Sequence, residues 1–334
     1  AQAIPSKLTV YSKGYLLDSD AVTGGNQTVY GDNLNVTMTH TSATGAVEAY
    51  GNKLTLSVTA LGDVSSTTST ANVTGIASGA TITGNLQSIE ATLASARGVG
   101  SVTAPAALGV EKMANLTVDL GTVASPNLMN LTSVKVSGAG VVTVDTNTDV
   151  VAALAKLKTV DLSGMTAFAN QNEKGQEWDG TTVGNYANLS TSSVTLDNDV
   201  SETVLLGAAR DTIVTGSTIA AKDTITGFQL TASAADPLVV DTSRSDVLKI
   251  GVAFNASNAA KMTTTASTLE GALLEASAFT VGGVAKENVV FNFGGNTYVY
   301  VDTGANGLTD SDQLVVLTGT LNLDLLLQSG VVIA

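Results

Sequence analysis

Asp211-Thr212-Ile213-Val214-Thr215-Gly216 and Asp223-Thr224-Ile225-Thr226-Gly227-Phe228 follow one design. An aspartate opens a short run of β-branched residues and a glycine closes it. Val194-Thr195-Leu196-Asp197 and Thr203-Val204-Leu205-Leu206-Gly207 precede them, with starts about nine to twelve residues apart. Pro237-Leu238-Val239-Val240-Asp241 and Asp246-Val247-Leu248-Lys249-Ile250 continue the series. Very short apolar strands between Gly and Asp turns are the sequence form of a parallel β-roll, in which stacked coils bury what one coil cannot. The reading expects parallel strands over 194–250, with Ile213, Ile225, Leu238 and Leu248 inward. Each turn would offer a carboxylate and main-chain carbonyls to a Ca²⁺ between coils. Asp211 and Asp223 are the first candidates, and the oxygen-rich turn Asp197-Asn198-Asp199 adds Asp197 and Asp199.

Outward from this stretch the pattern stays β-rich. Lys7–Tyr11, Asn33–Met38 and Lys53–Val58 alternate Leu or Val with Thr, Asn or Ser, the mark of strands with one buried face. A helix is expected over Leu86–Arg97, with Leu86, Ile89, Leu93 and Ala96 on one stripe and Asn85 as cap. Asn115–Leu120, Leu131–Val136 and Leu157–Leu162 share a weak motif, and Asp149–Lys158 between two of them reads as a helix. Strand-plus-helix units suggest a leucine-rich-repeat type of solenoid, and a plain strand–loop–helix arrangement fits as well. Trp178 sits in the polar excursion 165–188, as a binding platform or as a loop anchor. Three parts result: a β-rich part over 1–85, a strand/helix repeat-like part over 86–192, and a roll-like C-terminal part over 193–334.

Composition narrows the function. Charged residues make up only 13%, yet 44% hydrophobic residues are too many for a disordered chain. Asp and Glu outnumber Lys and Arg by 29 to 15, which repels phosphate backbones and argues against nucleic acid as a partner. The absence of Cys excludes disulfides and thiolate metal sites, and a single His excludes multi-histidine ones. No apolar run approaches the length of a membrane-spanning helix. The start carries no secretory signal pattern, so either a signal was removed or export takes another route.

The Asp-opened coils resemble the closing coils of RTX proteins, where glycine-rich nonapeptides run into an Asp-x-Ile-x-Gly-Phe terminator. Phe291–Asp302, Asp312–Thr320 and Leu321–Leu327 look like the C-terminal end of type I-secreted RTX proteins, among which proteobacterial surface-layer (S-layer) proteins are a prominent group. The likeness covers residues 194–334. It departs from the family where Gly-Gly-x-Gly-x-Asp is expected, because Arg210 and Lys222 stand directly before the aspartates. Those turns are either degenerate for calcium or carry an acidic–basic pair on the surface. No Lys or Arg follows Lys286, which suits an uncleaved type I secretion signal and makes Ala1 a cut inside a longer protein.

By spacing, the best calcium loop is 302–313, with Asp302, Asn306, Gly307, Asp310 and Asp312 close to the positions such a loop needs. Gly304 and Gln313 break that pattern, and a hairpin loop between two strands is the plain alternative. Asp18-Ser19-Asp20 is a weaker oxygen-rich turn. An enzyme is not expected. His40 stands among hydroxyls in an alternating strand, and pairs such as Glu173/Glu177 or Asp241/Asp246 lack aromatic sugar platforms apart from Trp178.

The sequence therefore points to a mostly β protein, exported by a type I machine and located at the bacterial cell surface. There it would assemble with itself, with Ca²⁺, into a two-dimensional S-layer lattice anchored to cell-surface polysaccharide by a region outside this chain. The alternatives are an RTX-type adhesin or glycan-binding module, and a β-helical polysaccharide-processing enzyme.

Overall fold

A computed structural model describes residues 8–12, 17–18, 27–31, 33–39, 47–50, 53–59, 64–66, 70–76, 79–84, 88–94, 115–122, 125–126, 128–146, 156–166, 191–208, 210–242, 244–250, 258–304 and 307–333. Before residue 128, side chains are described for 88–93 and 116–121. His40, Trp178, Asn306, Ser19 and Asp20, and both Glu173 and Glu177, lie outside the described residues.

The first strands are β1 (Leu8–Ser12), β2 (Leu17–Asp18), β3 (Gln27–Gly31), β4 (Asn33–Thr39), β5 (Val47–Tyr50), β6 (Lys53–Thr59) and β7 (Val64–Ser66). Next come β8 (Thr70–Ile76), β9 (Gly79–Gly84), β10 (Ser88–Ala94), β11 (Asn115–Asp119), β12 (Gly121–Thr122), β13 (Ser125–Pro126), β14 (Ser133–Ala139), β15 (Val141–Asp145) and β16 (Thr159–Met165). The series continues through β17 (Thr191–Thr195), β18 (Thr203–Leu205), β19 (Arg210–Thr215), β20 (Asp223–Thr226), β21 (Val247–Ile250) and β22 (Ala259–Met262). It closes with α1 (Leu269–Ser277), β23 (Thr280–Val281), β24 (Val284–Ala285), β25 (Asn288–Phe293), β26 (Asn296–Val301), β27 (Gln313–Thr318), α2 (Leu323–Leu326) and β28 (Val332–Ile333).

From β1 to β22, apart from the short antiparallel pair β12–β13, successive strands go to two large sheets by turns; β25, β26 and β27 then all join the second sheet, and β28 returns to the first. One sheet runs β1-β3-β5-β7-β9-β11-β15-β17-β19-β21-β28, and every pairing in it is parallel. The other runs β2-β4-β6-β8-β10-β14-β16-β18-β20-β27-β26-β25-β22. It is parallel as far as β27, antiparallel through β26 to β25, and parallel again at β22. The hydrogen bonding passes through the expected part boundaries, since β8 pairs β10 and β15 pairs β17.

Register makes the core. Along the first sheet, Ile82, Val118, Val144, Val194, Ile213, Leu248 and Val332 stand opposite one another on successive strands. Along the second, Ile89, Val134, Val160, Val204, Ile225 and Leu317 do the same. From Val118 and Ile89 onward these side chains are buried and belong to one apolar cluster. Alternation along each strand fixes the inward set, and a slip of one residue would turn it outward.

The final strands of the second sheet are covered on both faces. Val290, Val299 and Val315 join the main cluster, while Val289, Phe291, Tyr298 and Leu314 pack under Leu273 and Ala276 of α1. This is why Asn288–Phe293, Asn296–Val301 and Gln313–Thr318 read as nearly unbroken apolar runs. Thr268 caps α1, its hydroxyl accepting from the Gly271 N–H at 3.1 Å. The C-terminal stretch belongs to the same core: Leu325, Leu326, Val331 and Val332 are buried and β28 pairs with β21.

Two expectations are corrected. Leu86–Arg97 is not a helix: Ser88–Ala94 is a strand between β8 and β14, with Ile89, Ala91 and Leu93 buried and Glu90 exposed. Ile89 and Leu93 are four apart, a spacing that both the helical and the strand period place on one face. Of the helix expected at Asp149–Lys158, residues 149–155 lie outside the described residues; 156–158 are not helical, and the Lys158 N–H donates to Thr132 O at 2.9 Å. In the described residues before it, strand β14 is followed by strand β15. Finally, Leu238 is 74% exposed, and Pro237–Asp241 forms a surface loop with one antiparallel bridge from Ala232 to Val240.

Candidate functional site

In the first sheet the inward column beside the aliphatic one begins with Leu116 and Val142 and then turns polar. Val142 stands opposite Ser192, Ser192 opposite Asp211, and Asp246 follows just before β21. The second sheet does the same with Glu202 and Asp223, each two residues before an aliphatic core position, Val204 or Ile225. A period of two aims the acid at the face its aliphatic neighbour uses, so acid-x-aliphatic puts both inside. Asp197, Glu202, Asp211, Asp223 and Asp246 are each no more than 2% exposed.

These carboxylates tie successive strands together. Asp246 Oδ1 accepts from the Asp211 N–H at 2.9 Å and Oδ2 from the Gln229 N–H at 2.7 Å. Asp223 Oδ1 accepts from the Glu202 N–H at 3.0 Å, while its Oδ2 accepts from Thr215 Oγ1 at 2.6 Å and Ser217 Oγ at 2.5 Å. Glu202 Oε2 accepts from the Asp197 N–H at 2.8 Å, and Asp197 Oδ1 from the Asp199 N–H at 2.7 Å. Asp211 Oδ1 accepts from Ser192 Oγ. Two oxygens are left over: Asp197 Oδ2 and Asp211 Oδ2 are buried without a hydrogen-bond partner.

Among the described residues no cation forms an ion pair with this ladder. Burial therefore favours the protonated acids. It pushes Glu202 up to about 9, with the Asp223 charge adding to the rise, and Asp211 up to about 8, with Asp246 adding. Asp246 rises to about 7 and Asp223 to about 6, both through burial, with donated hydrogen bonds holding them back. Asp197 is raised too, again mainly by burial. An orphaned buried oxygen beside a second acid is a seat for a proton or for a hard cation, two occupants that compete.

The expected site residues thus fall into two groups. Asp197, Asp211 and Asp223 belong to the ladder, whereas Asp199 is exposed. Arg210 and Lys222 do not pair with the aspartates that follow them, because adjacent strand residues point to opposite faces. In the 302–313 loop the carboxylates do different work. Asp312 is fully buried and accepts from Tyr300 OH at 2.8 Å, Thr309 N–H at 2.8 Å and Thr303 N–H at 3.1 Å. It closes the β26–β27 hairpin with the oxygens a calcium loop would need. Asp302 Oδ1 accepts from the Gly304 N–H at 3.1 Å, and Asp310 is exposed. Among the described residues no three acidic or histidine side chains converge as a metal cage, so a cation in the ladder would lean on main-chain oxygens as well.

Glu202 and Asp246 are not among the ligand candidates that turn spacing marks. Their mark in the sequence is a shared pattern: Glu202-x-Val204, Asp211-x-Ile213, Asp223-x-Ile225 and Asp246-x-Leu248. No family model matches the chain, and a search of curated proteins found no match.

Proposed function

We propose that this chain is the β-solenoid part of a bacterial surface-layer subunit, a non-enzymatic structural protein exported by a type I machine, whose internal carboxylates take Ca²⁺. The supporting observation is the pair of in-register aliphatic columns with an acid ladder beside them. Strands that alternate between two parallel sheets and stack in register are what a two-sheeted solenoid requires, and such a body is stiff along its stacking axis. Among the described residues β1 and β28 end one sheet and β2 and β22 the other, and an end strand's main-chain groups can take a further strand, the ordinary hazard of an edge and the ordinary means of assembly. Asp211 with Asp246, and Asp197 with Glu202, are the carboxylates that would hold the ion. When bound it supplies positive charge inside an acidic chain of net −14, whose copies otherwise repel. The likeness of 291–327 to RTX secretion ends supports export by the type I route.

Electron microscopy of the purified chain with millimolar calcium and with a chelator tests this reading. Ordered sheets in calcium that disperse on chelation support it. A monomer under both conditions overturns it.

A further inference from the structure

Outside the two sheets' shared core, one concavity on the outer face of the first sheet carries positive charge. Its volume is about 520 Å³, and Arg210 of β19 and Lys249 of β21 line it. Thr212 and Val247, opposite each other in register, form its floor. Thr242 and Ser329 line it as well. Gly330 completes the wall at φ +91°, where an added Cβ would come within 3.2 Å of the Thr242 methyl. Arg210 Nε donates to Thr242 O at 3.1 Å, which fixes the guanidinium at the rim and leaves its outer nitrogens to other acceptors.

Two cations in one groove are unusual here, since the whole chain has 15 against 29 acids. Among the described residues neither Arg210 nor Lys249 forms an ion pair. The nearest acid of the ladder, Asp246, is buried and turned inward onto main-chain N–H groups. Lys249 stands opposite Val214, four residues along β19 from Arg210, so the two residues are offset by roughly 13 Å along the strand direction on neighbouring strands.

We infer that this groove is a binding site for an oligosaccharide bearing at least two acidic groups, such as carboxylates. The Arg fork takes one carboxylate and the Lys ammonium another, while the three hydroxyls meet sugar hydroxyls between them. A peptide is the poorer fit. The floor is the face of a sheet whose main-chain groups are spent in ladder pairing, so a peptide backbone finds no strand to extend. The inference is independent of the surface-layer reading.

Calorimetric titration of the full chain with a polygalacturonate oligomer tests it, beside a neutral oligosaccharide of equal length, inorganic phosphate and a poly-glutamate peptide. The acidic oligosaccharide should bind, weaken as salt rises, and lose about tenfold in affinity in Lys249→Gln and in Arg210→Gln. Lys261→Gln, whose charge pairs with Asp324 away from the groove, should bind as the unaltered chain does. Circular dichroism checks that each variant is folded, and Lys249→Gln decides the matter if Arg210→Gln is not. Binding of the neutral sugar as tightly, tighter binding of the peptide, equal binding of phosphate alone, or indifference to Lys249→Gln would each overturn the assignment.

Discussion

The carboxylate of Asp246 bridges two separate stretches of chain, accepting the Asp211 N–H on one oxygen and the Gln229 N–H on the other. It thereby satisfies two main-chain donors that the strand pattern alone leaves without acceptors. Substituting Asp246→Ala strands both, and each buried unsatisfied donor costs about 1–3 kcal/mol. Urea unfolding should show a loss of roughly 2–5 kcal/mol for Asp246→Ala and a smaller one for Asp246→Asn, which keeps one acceptor. Equal midpoints for all three proteins would show that the bridge carries no weight.

Stability should fall as pH rises. The folded values of Asp223, Asp246, Asp211 and Glu202 run from about 6 to about 9, above the unfolded carboxyl range. The folded chain therefore holds more protons than the unfolded one between about pH 4 and pH 9, and in that window stability declines with pH. Below it the contribution is complete. Melting curves taken from pH 5 to pH 9 without calcium should shift steadily downward. Asp211→Asn should flatten the slope by up to about 1.4 kcal/mol per pH unit, the worth of one proton. A melting temperature that rises across this range would contradict the ladder's electrostatics.

Calcium should stabilise more at pH 8 than at pH 5, because the ion must displace protons from the acids it uses. At 100 times its dissociation constant one site adds about 2.7 kcal/mol. In the loop, Asp302→Ala with Asp310→Ala should leave most of that gain in place, since Asp312 is already engaged by Tyr300, Thr303 and Thr309. Loss of the whole calcium effect in that double variant would move the site from the ladder to the loop.

Tyr300→Phe removes one donor to Asp312 and keeps the ring, which should cost about 1 kcal/mol. Asp312→Ala strands the Thr303 and Thr309 amides along with the phenol, and should cost several times more. Chemical denaturation of both variants tests this, and equal losses would show that the hairpin does not depend on the carboxylate.

Gly138 has φ +88°, and a Cβ there would lie 2.2 Å from the Leu93 carbonyl oxygen on the neighbouring strand. Gly138→Ala should therefore destabilise by on the order of 3 kcal/mol or more, through strain and displaced pairing between β10 and β14. Thermal melting settles the point, and a change under half a kcal/mol would mean the strands part without penalty.

The alternation is written in the linear chain. Leu116, Val118, Val142, Val144, Val194, Ile213 and Leu248 are written at strand period, and residues of that period can be buried only from one face of a strand. Short strands at Asp211 and Asp223, the β26–β27 hairpin and the β-rich character of the described chain were all legible in it. Local pattern failed where two periods coincide, at Ile89 and Leu93, and where an apolar run meant surface, at Leu238. It also gave no hint of α1, whose helix is defined by the Thr268 cap and by the sheet it covers. That the acids face inward follows only from how the strands pair. In the linear chain Asp211 looks like a turn ligand beside Arg210, and Asp246 like a solvated charge. Only pairing in register brings Ser192, Asp211 and Asp246 into one column, removes them from water and leaves an oxygen unsatisfied, because burial and partnership belong to the stacked strands and not to any one of them.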